Sequence, residues 1–115
     1  MEVTARLRNV RMGARKGRLV ADLVRDRDCD EALNILRSCP KSAARPLEKL
    51  VRSALANAQV MNEQKSAGFD LDNLYVKRIT VDQASHNWRI RPRAMGRANW
   101  IRKMSSHVTV VLGER

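Results

Sequence analysis

The sequence is short of aromatic residues, cysteine, proline, long apolar runs and acid. Its only aromatic side chains besides histidine are Phe69, Tyr75, Trp88 and Trp100, so any core must be aliphatic. No apolar run approaches the roughly 18 residues that span a bilayer. The first residues hold no apolar stretch of about 7–15 residues of the kind a secretory signal carries. A cytosolic protein without a membrane partner is therefore expected. Cys29 and Cys39 flank one expected helix. Ten helical residues span about 15 Å, which is beyond disulfide reach, so both should be reduced, partly buried thiols. Only His86 and His107 could join them as metal ligands, and no zinc spacing results. No metal and no cofactor are expected. Gly-rich phosphate loops, G-x-S-x-G and H-E-x-x-H are absent. The acids are scattered or fall in Asp26, Asp28, Asp30 and Glu31, which read as cap and turn groups. No catalytic residue stands out, and an enzyme is not expected.

What is present is base. The 115 residues carry a formal net charge of +11 and, at 43% hydrophobic, suffice for one modest core and one domain, residues 1–115. Such an excess speaks of partners, nucleic acid first and an anionic membrane surface second. It peaks in Gln83–Gly113, which has no Asp or Glu but contains Arg89, Arg91, Arg93, Arg97, Arg102 and Lys103, with Trp88 and Trp100 among them. Each unpaired charge buried in a core costs several kcal/mol, so these groups must face a polyanion.

Local patterns place that stretch in a fold. Met1–Asn9 alternates Val3, Ala5 and Leu7 with Thr4, Arg6 and Arg8, the period of a half-buried strand with a basic outer face. Arg11, Met12 and Gly13 interrupt it. Ala14–Val24 predicts a helix with an apolar stripe of Leu19, Val20, Leu23 and Val24. Arg15, Lys16 and Arg18 crowd its first turn, where the helix dipole disfavours cations, which suggests a compensating phosphate. Asp28 and Glu31 have capping-box spacing, with Asp30 an alternative cap. A short helix through Ala32–Leu36 should stop at Pro40. Lys41 to about Val60 predicts the longest helix, with a stripe of Ala43, Leu47, Leu50, Val51, Ala54, Leu55 and Ala58 whose small members permit close approach to a sheet. Met61–Asp72 reads as a polar loop. Leu74–Asp82 and Ser106–Leu112 are β-branched-rich strands, and antiparallel pairing between them gives an α+β domain.

That pairing leaves residues 83–103 as the connection, far longer than a hairpin loop. We read it as a two-stranded ribbon projecting on the order of 30 Å from a globule of residues 1–82 and 104–115, with turn chemistry at Pro92 and Gly96. Arginine presents a planar fork to phosphate and stacks on bases. The candidate polyanion-binding residues are Arg6, Arg8, Arg11, Arg15, Lys16 and Arg18 of the N-terminal third, and Trp88, Arg89, Arg91, Arg93, Arg97, Trp100, Arg102 and Lys103 of the arm. The tryptophans suit stacking on unpaired bases, against the alternative of packing on the opposite arm. His107 reads as an exposed strand residue. An RNA-binding protein and an architectural DNA-binding protein with a β-ribbon arm and an intercalating proline, Pro92, both fit these features. A cationic membrane-surface protein fits poorly, because the apolar stripes are needed for the core.

The segments Arg18–Val24 (RLVADLV), Ser53–Ala58 (SALANA), Asp72–Val76 (DNLYV), Arg91–Arg97 (RPRAMGR) and Ser106–Val111 (SHVTVV) are similar, in order along essentially the whole chain, to the bacterial large-subunit ribosomal protein L-twenty-two family. The resemblance implies three helices on a three-stranded antiparallel sheet with a long protruding β-hairpin. It implies binding to 23S rRNA, early subunit assembly and neighbouring ribosomal proteins as partners. It also implies a hairpin tip, Arg89, Ile90, Arg91, Pro92, Arg93, Ala94, Met95, Gly96 and Arg97, that lines the tunnel near the nascent polypeptide and bears on macrolide antibiotics. The chain departs from the family pattern at three places. Asp26 stands where a helix-ending glycine is usual, and Asp tolerates the left-handed conformation better than most residues. His86-Asn87-Trp88 replaces a segment closer to Ser-Met-Lys, and Trp100 falls where a charged residue is common.

Overall fold

The last strand is the middle of the structure because it is the most continuously apolar. The computed structural model describes residues 2–65, 68 and 70–115. In chain order these form β1 (Glu2–Val10), α1 (Ala14–Val24), α2 (Cys29–Ser38), α3 (Ala44–Lys65), β2 (Leu74–Gln83), β3 (Asn87–Pro92), β4 (Ala98–Lys103) and β5 (Ser106–Glu114). β5 lies between the other two strands of an antiparallel sheet, order β1-β5-β2, while β3 and β4 form a separate two-stranded ribbon. The expected α+β architecture is thus present.

One sheet face carries Val3, Ala5, Val76, Ile79, Val81, Val108, Val110 and Leu112, all buried. It packs on Val20, Val24, Leu36, Leu47, Leu50 and Val51 of the helices in one aliphatic cluster. Ala54 and Ala58 are fully buried and let α3 approach the sheet, as the small-residue stripe predicts. Val76 and Ile79 are three positions apart yet both face the core, because the β2–β5 register shifts between Val76 and Arg78; a bulge restores the side-chain phase. Lys77, at that bulge, extends across Gly113, where an added Cβ would lie 3.2 Å from its Cδ, and pairs with Glu2. That pairing lowers the Glu2 carboxyl and raises the Lys77 amine from their ordinary values.

Several local expectations are corrected. In α1 the core side is Ala14, Gly17, Val20, Ala21 and Val24, whereas Leu19 and Leu23 are 56% and 47% exposed. The reason is Gly17, whose missing side chain lets α1 settle on β2: a Cβ there would meet Val81 Cγ1 at 3.1 Å and Met12 Sδ at 2.8 Å. Asp28 does occupy the N-cap of α2, but its side chain makes no cap bond. It instead accepts from Arg115 Nε at 2.6 Å, and Glu31 pairs with Arg27. α3 starts at Ala44 rather than Lys41 and runs on to Lys65, so Met61 packs on the core instead of opening a loop. Of the expected Met61–Asp72 loop, residues 66, 67 and 69 lie outside the described residues, as does Met1 of the first strand. Asp26 has φ 65°, the left-handed conformation anticipated for it.

The outer edge of β2 is closed by α1. Arg18 Nε donates to the Val81 carbonyl at 3.0 Å and Arg25 Nη2 to that of Ile79 at 3.0 Å. Asp26 N and Arg27 O bond Val76 O and N, each at 2.9 Å. These bonds satisfy edge groups that would otherwise invite another strand. The ribbon, by contrast, projects. The Cα radius of gyration is 17.4 Å with extents of 64 × 27 × 16 Å, against about 13 Å for a compact chain of this length.

Candidate nucleic-acid interface

The ribbon is rooted beside the N-terminal cations by one buried hydroxyl. Ser106 is wholly buried, and its Oγ donates to the Met12 carbonyl at 2.8 Å, pinning the β1–α1 loop at the point where the ribbon leaves the sheet. Ala84 N donates to Ser105 O at 2.9 Å and closes the root. Two clefts result. One, of about 330 Å³, is lined by Arg11, Asn87, Arg89, Lys103 and Ser105. The other, of about 480 Å³, is lined by Gly13, Ala14, Arg15, Lys16, Arg18, Gln83, Arg102 and Met104. Among the described residues no carboxylate lines either. Cations far apart in sequence are thus brought together on both sides of the ribbon's root.

A third groove, of about 630 Å³, joins Arg6 to Arg45 and Lys49 of α3 over a floor of Leu7, Val10 and Leu50. Sequence reasoning missed Arg45 and Lys49. Their i, i+4 spacing places them on one helix face, but only the packing of α3 on β1 brings that face to Arg6. Arg8 is exposed on β1 and lines none of these three clefts. Arg18 lines the second cleft while its Nε donates to the sheet edge. His107 is not a plain exposed residue: its Nδ1 accepts from Asn9 N at 3.0 Å, where β1 bulges and Asn9 turns to φ 55°.

Charge is segregated. The described ion pairs are Arg25–Asp22, Arg27–Glu31, Arg37–Glu48, Arg52–Glu48, Lys77–Glu2 and Arg115–Asp28. None involves Arg6, Arg8, Arg11, Arg15, Lys16, Arg18 or a cation of the ribbon. The carboxylates of these pairs are all met by cations of the globule, and the interface cations keep no carboxylate partner among the described residues.

The ribbon has two unlike faces. Trp88 pairs with Arg102, Ile90 with Trp100 and Pro92 with Ala98; opposed residues share a face and alternate residues along a strand do too. One face therefore shows Trp88, Ile90, Trp100 and Arg102, and the other Asn87, Arg89, Arg91, Asn99, Ile101 and Lys103. Trp88, Ile90 and Trp100 are 52%, 59% and 66% exposed. Trp100 thus lies opposite Ile90 across the ribbon and remains mostly open. His86 meets Trp88 edge-on, with centroids 5.5 Å apart. Pro92 ends β3 rather than making the turn. The turn is Ala94–Gly96, with Met95 and Gly96 both left-handed at φ 62° and 68°, closed by Arg93 N donating to Arg97 O at 2.7 Å. Met95 is 94% exposed, with Arg93 and Arg97 beside it.

Among the described residues no group of acids, histidines or cysteines converges to hold a metal ion, and no helix is long and apolar enough to cross a membrane. The geometry is that of a small α+β protein whose unpaired cations gather on a projecting arm and around its root. Comparison with known proteins gives this class its family. The family model described as ribosomal protein L22p/L17e matches residues 5–113, and the chain belongs to that family. It is 49% identical to the large ribosomal subunit protein uL22 of Myxococcus xanthus over 114 residues, covering 99% of this chain and 97% of the relative. It is 51% identical to that of Syntrophotalea carbinolica over 115 residues, covering all of both, and 50% identical to that of Geobacter sulfurreducens over 115 residues, covering 100% and 99%. These relatives are ribosomal proteins rather than enzymes, in agreement with the absence of a catalytic motif.

Proposed function

We propose that the chain is a structural constituent of the large ribosomal subunit that binds 23S rRNA and assists subunit assembly. One observation carries this reading. Cations without carboxylate partners line both clefts at the ribbon's root and continue along the arm, while the described ion pairs lie elsewhere. A ribbon that presents charge on both sides fits an RNA fold that surrounds it, rather than a duplex lying against one face. The interface consists of Arg6, Arg8, Arg11, Arg15, Lys16, Arg18, Arg45 and Lys49 on the globule and the arm's cations from Arg89 to Lys103.

The tip, Arg89–Arg97, lines the nascent-polypeptide tunnel in this reading, with Met95 and its flanking arginines presented to the passing chain and to macrolides bound nearby. Neighbouring ribosomal proteins contact the globule. Family membership and the tip's exposure support the assignment.

The test is equilibrium binding of the purified chain to 23S rRNA fragments across a salt series. Counterion release gives a linear fall of log K with log salt, with a slope of about −0.7 to −0.9 per phosphate contact. A slope near zero would overturn the mechanism, and tighter binding to matched DNA than to RNA would favour an architectural DNA-binding role. Crosslinkers placed at Arg93 and Arg97 in cells should capture both rRNA and nascent peptide. Capture of rRNA without nascent peptide would remove the tunnel assignment and leave the rRNA reading standing.

A further inference from the structure

We propose that the face bearing Trp88, Ile90 and Trp100 seats unpaired rRNA bases by stacking, while Arg89, Arg91 and Lys103 on the opposite face hold phosphates. This inference rests on the rRNA reading above and divides its labour between the two sides of one ribbon. The strand register is what makes the division. Ile90 lies opposite Trp100, and Trp88 is the diagonal neighbour of Trp100, which sets the two indoles about 7–8 Å apart at their backbones. That spacing is close to twice the roughly 3.4 Å between successive bases, so one short run of unpaired bases can reach both rings.

The rings are also prepared for a partner. A two-stranded ribbon has no layer behind it, and each of these side chains is more than half exposed. His86 contacts the Trp88 ring edge-on, limiting its rotation before anything binds. Charge decides the chemistry of the occupant. Arg102 shares this face as the cross-strand partner of Trp88 and leads to the cleft of Arg15, Lys16 and Arg18 at the root. The whole stretch Gln83–Gly113 lacks a carboxylate. A partner must therefore offer flat apolar surfaces joined by anions, and a single-stranded nucleic acid offers both. A duplex hides its base faces within its own stack.

Trp88 and Trp100 are the chain's only tryptophans, so fluorescence excited at the red edge of the indole band, where Tyr75 does not absorb, reports this face alone. The intact protein is titrated with an unpaired rRNA loop segment, with the same segment annealed to its complement, and with anionic phosphatidylglycerol vesicles. Stacking predicts strong quenching by the unpaired segment and weak quenching by the duplex. Trp88→Ala and Trp100→Ala should each lower affinity for the unpaired segment about 10-fold or more without changing the salt slope, and the phenylalanine variants should restore most of it. Arg89→Gln, Arg91→Gln and Lys103→Gln should do the converse, flattening the slope by about 0.7 each while quenching persists. Circular dichroism of the globule serves as the folding control. Saturable, salt-dependent rRNA binding without quenching would overturn the stacking assignment alone. Ring changes confined to vesicles would overturn it in favour of a membrane surface. Absence of any salt-dependent rRNA binding would overturn the underlying reading as well.

Discussion

Away from the interface, the globule uses arginine in the opposite way to the ribbon. In the globule Arg25 bonds the edge carbonyl of Ile79, and Arg115 bridges Asp28 and the Asp26 carbonyl while lying 4.6 Å over the Tyr75 ring. Arg27, Arg37 and Arg52 join carboxylates. In the ribbon the one described arginine side-chain bond is Arg89 Nη1 to the carbonyl of its neighbour Trp88. The same side chain is a staple where acceptors surround it and an open binding group where the sequence withholds them. The core is thus finished within the chain, and the ribbon is not.

The largest effect that tests this contrast is removal of the arm. Deleting residues 88–97 should leave cooperative thermal unfolding of the globule in place, because the aliphatic cluster draws on no residue of β3 or β4. Binding to 23S rRNA fragments should fall by two orders of magnitude or more as several phosphate contacts vanish. Loss of the cooperative transition by circular dichroism would show that ribbon and globule are one folding unit.

Point substitutions sharpen the same contrast. Leu47 is completely buried, so Leu47→Ala should cost about 2–5 kcal/mol, read as a drop in denaturant midpoint. Ile90→Ala removes similar bulk from a site 59% exposed and should change stability by less than about 0.5 kcal/mol. Equal losses at the two sites would mean that the ribbon's apolar face is packed in solution.

The elements and the arm were legible because period and composition are local. Alternation marks β1, a 3.6-residue stripe marks α3, and an acid-free insert between two pairing strands marks the ribbon. The orientation of α1 was not legible. Leu19 and Leu23 outweigh Ala14, Gly17 and Ala21 on any hydrophobic scale, yet the small residues face the sheet, because a side chain at Gly17 would collide with Val81 and Met12. The root clefts were legible only as separate groups of cations, since the Ser106–Met12 bond that assembles them spans most of the chain. The two-faced character of the ribbon depends on register: a slip of one residue would put Trp100 on the side opposite Trp88. Composition shows which side chains the ribbon carries and does not sort them between its two faces.

Alkaline pH should separate the regions more gently. Burial, followed by the nearby Asp30 and Asp28 carboxylates, pushes the Cys29 thiol from 9.0 to about 11. The folded state thus holds that proton more tightly than the unfolded chain. Its contribution to stability is fully present below about pH 9 and is lost as pH rises toward 11. Cys29→Ala should flatten the decline in thermal stability between about pH 9 and 10.5, below the range where the raised Lys77 amine begins to add its own loss. At pH 8 a thiol reagent should label the partly exposed Cys39 and spare the buried Cys29; fast labelling of both would mean that α2 opens readily. The arm deletion should leave both behaviours unchanged.

The smallest effect compares one substitution in two places. Asp26 and Met95 are both left-handed, at φ 65° and 62°. Asp26 is held there by the globule: its N–H donates to Val76 O and its carbonyl accepts from Arg115 Nη2 at 2.6 Å. Glycine would relieve strain of about 1 kcal/mol, but it would also add freedom to the unfolded chain worth about 0.4–1 kcal/mol. Asp26→Gly should therefore raise the melting temperature by no more than about 2–4 °C, whereas Asp26→Val, with a branched Cβ in that conformation, should lower it. Met95→Gly relieves the same strain at a tip 94% exposed and outside the cooperative core, so the globule's melting temperature should not move. A shift at Met95 as large as that at Asp26 would mean that strain in the tip is felt by the core, and that the ribbon is coupled to the globule rather than carried by it.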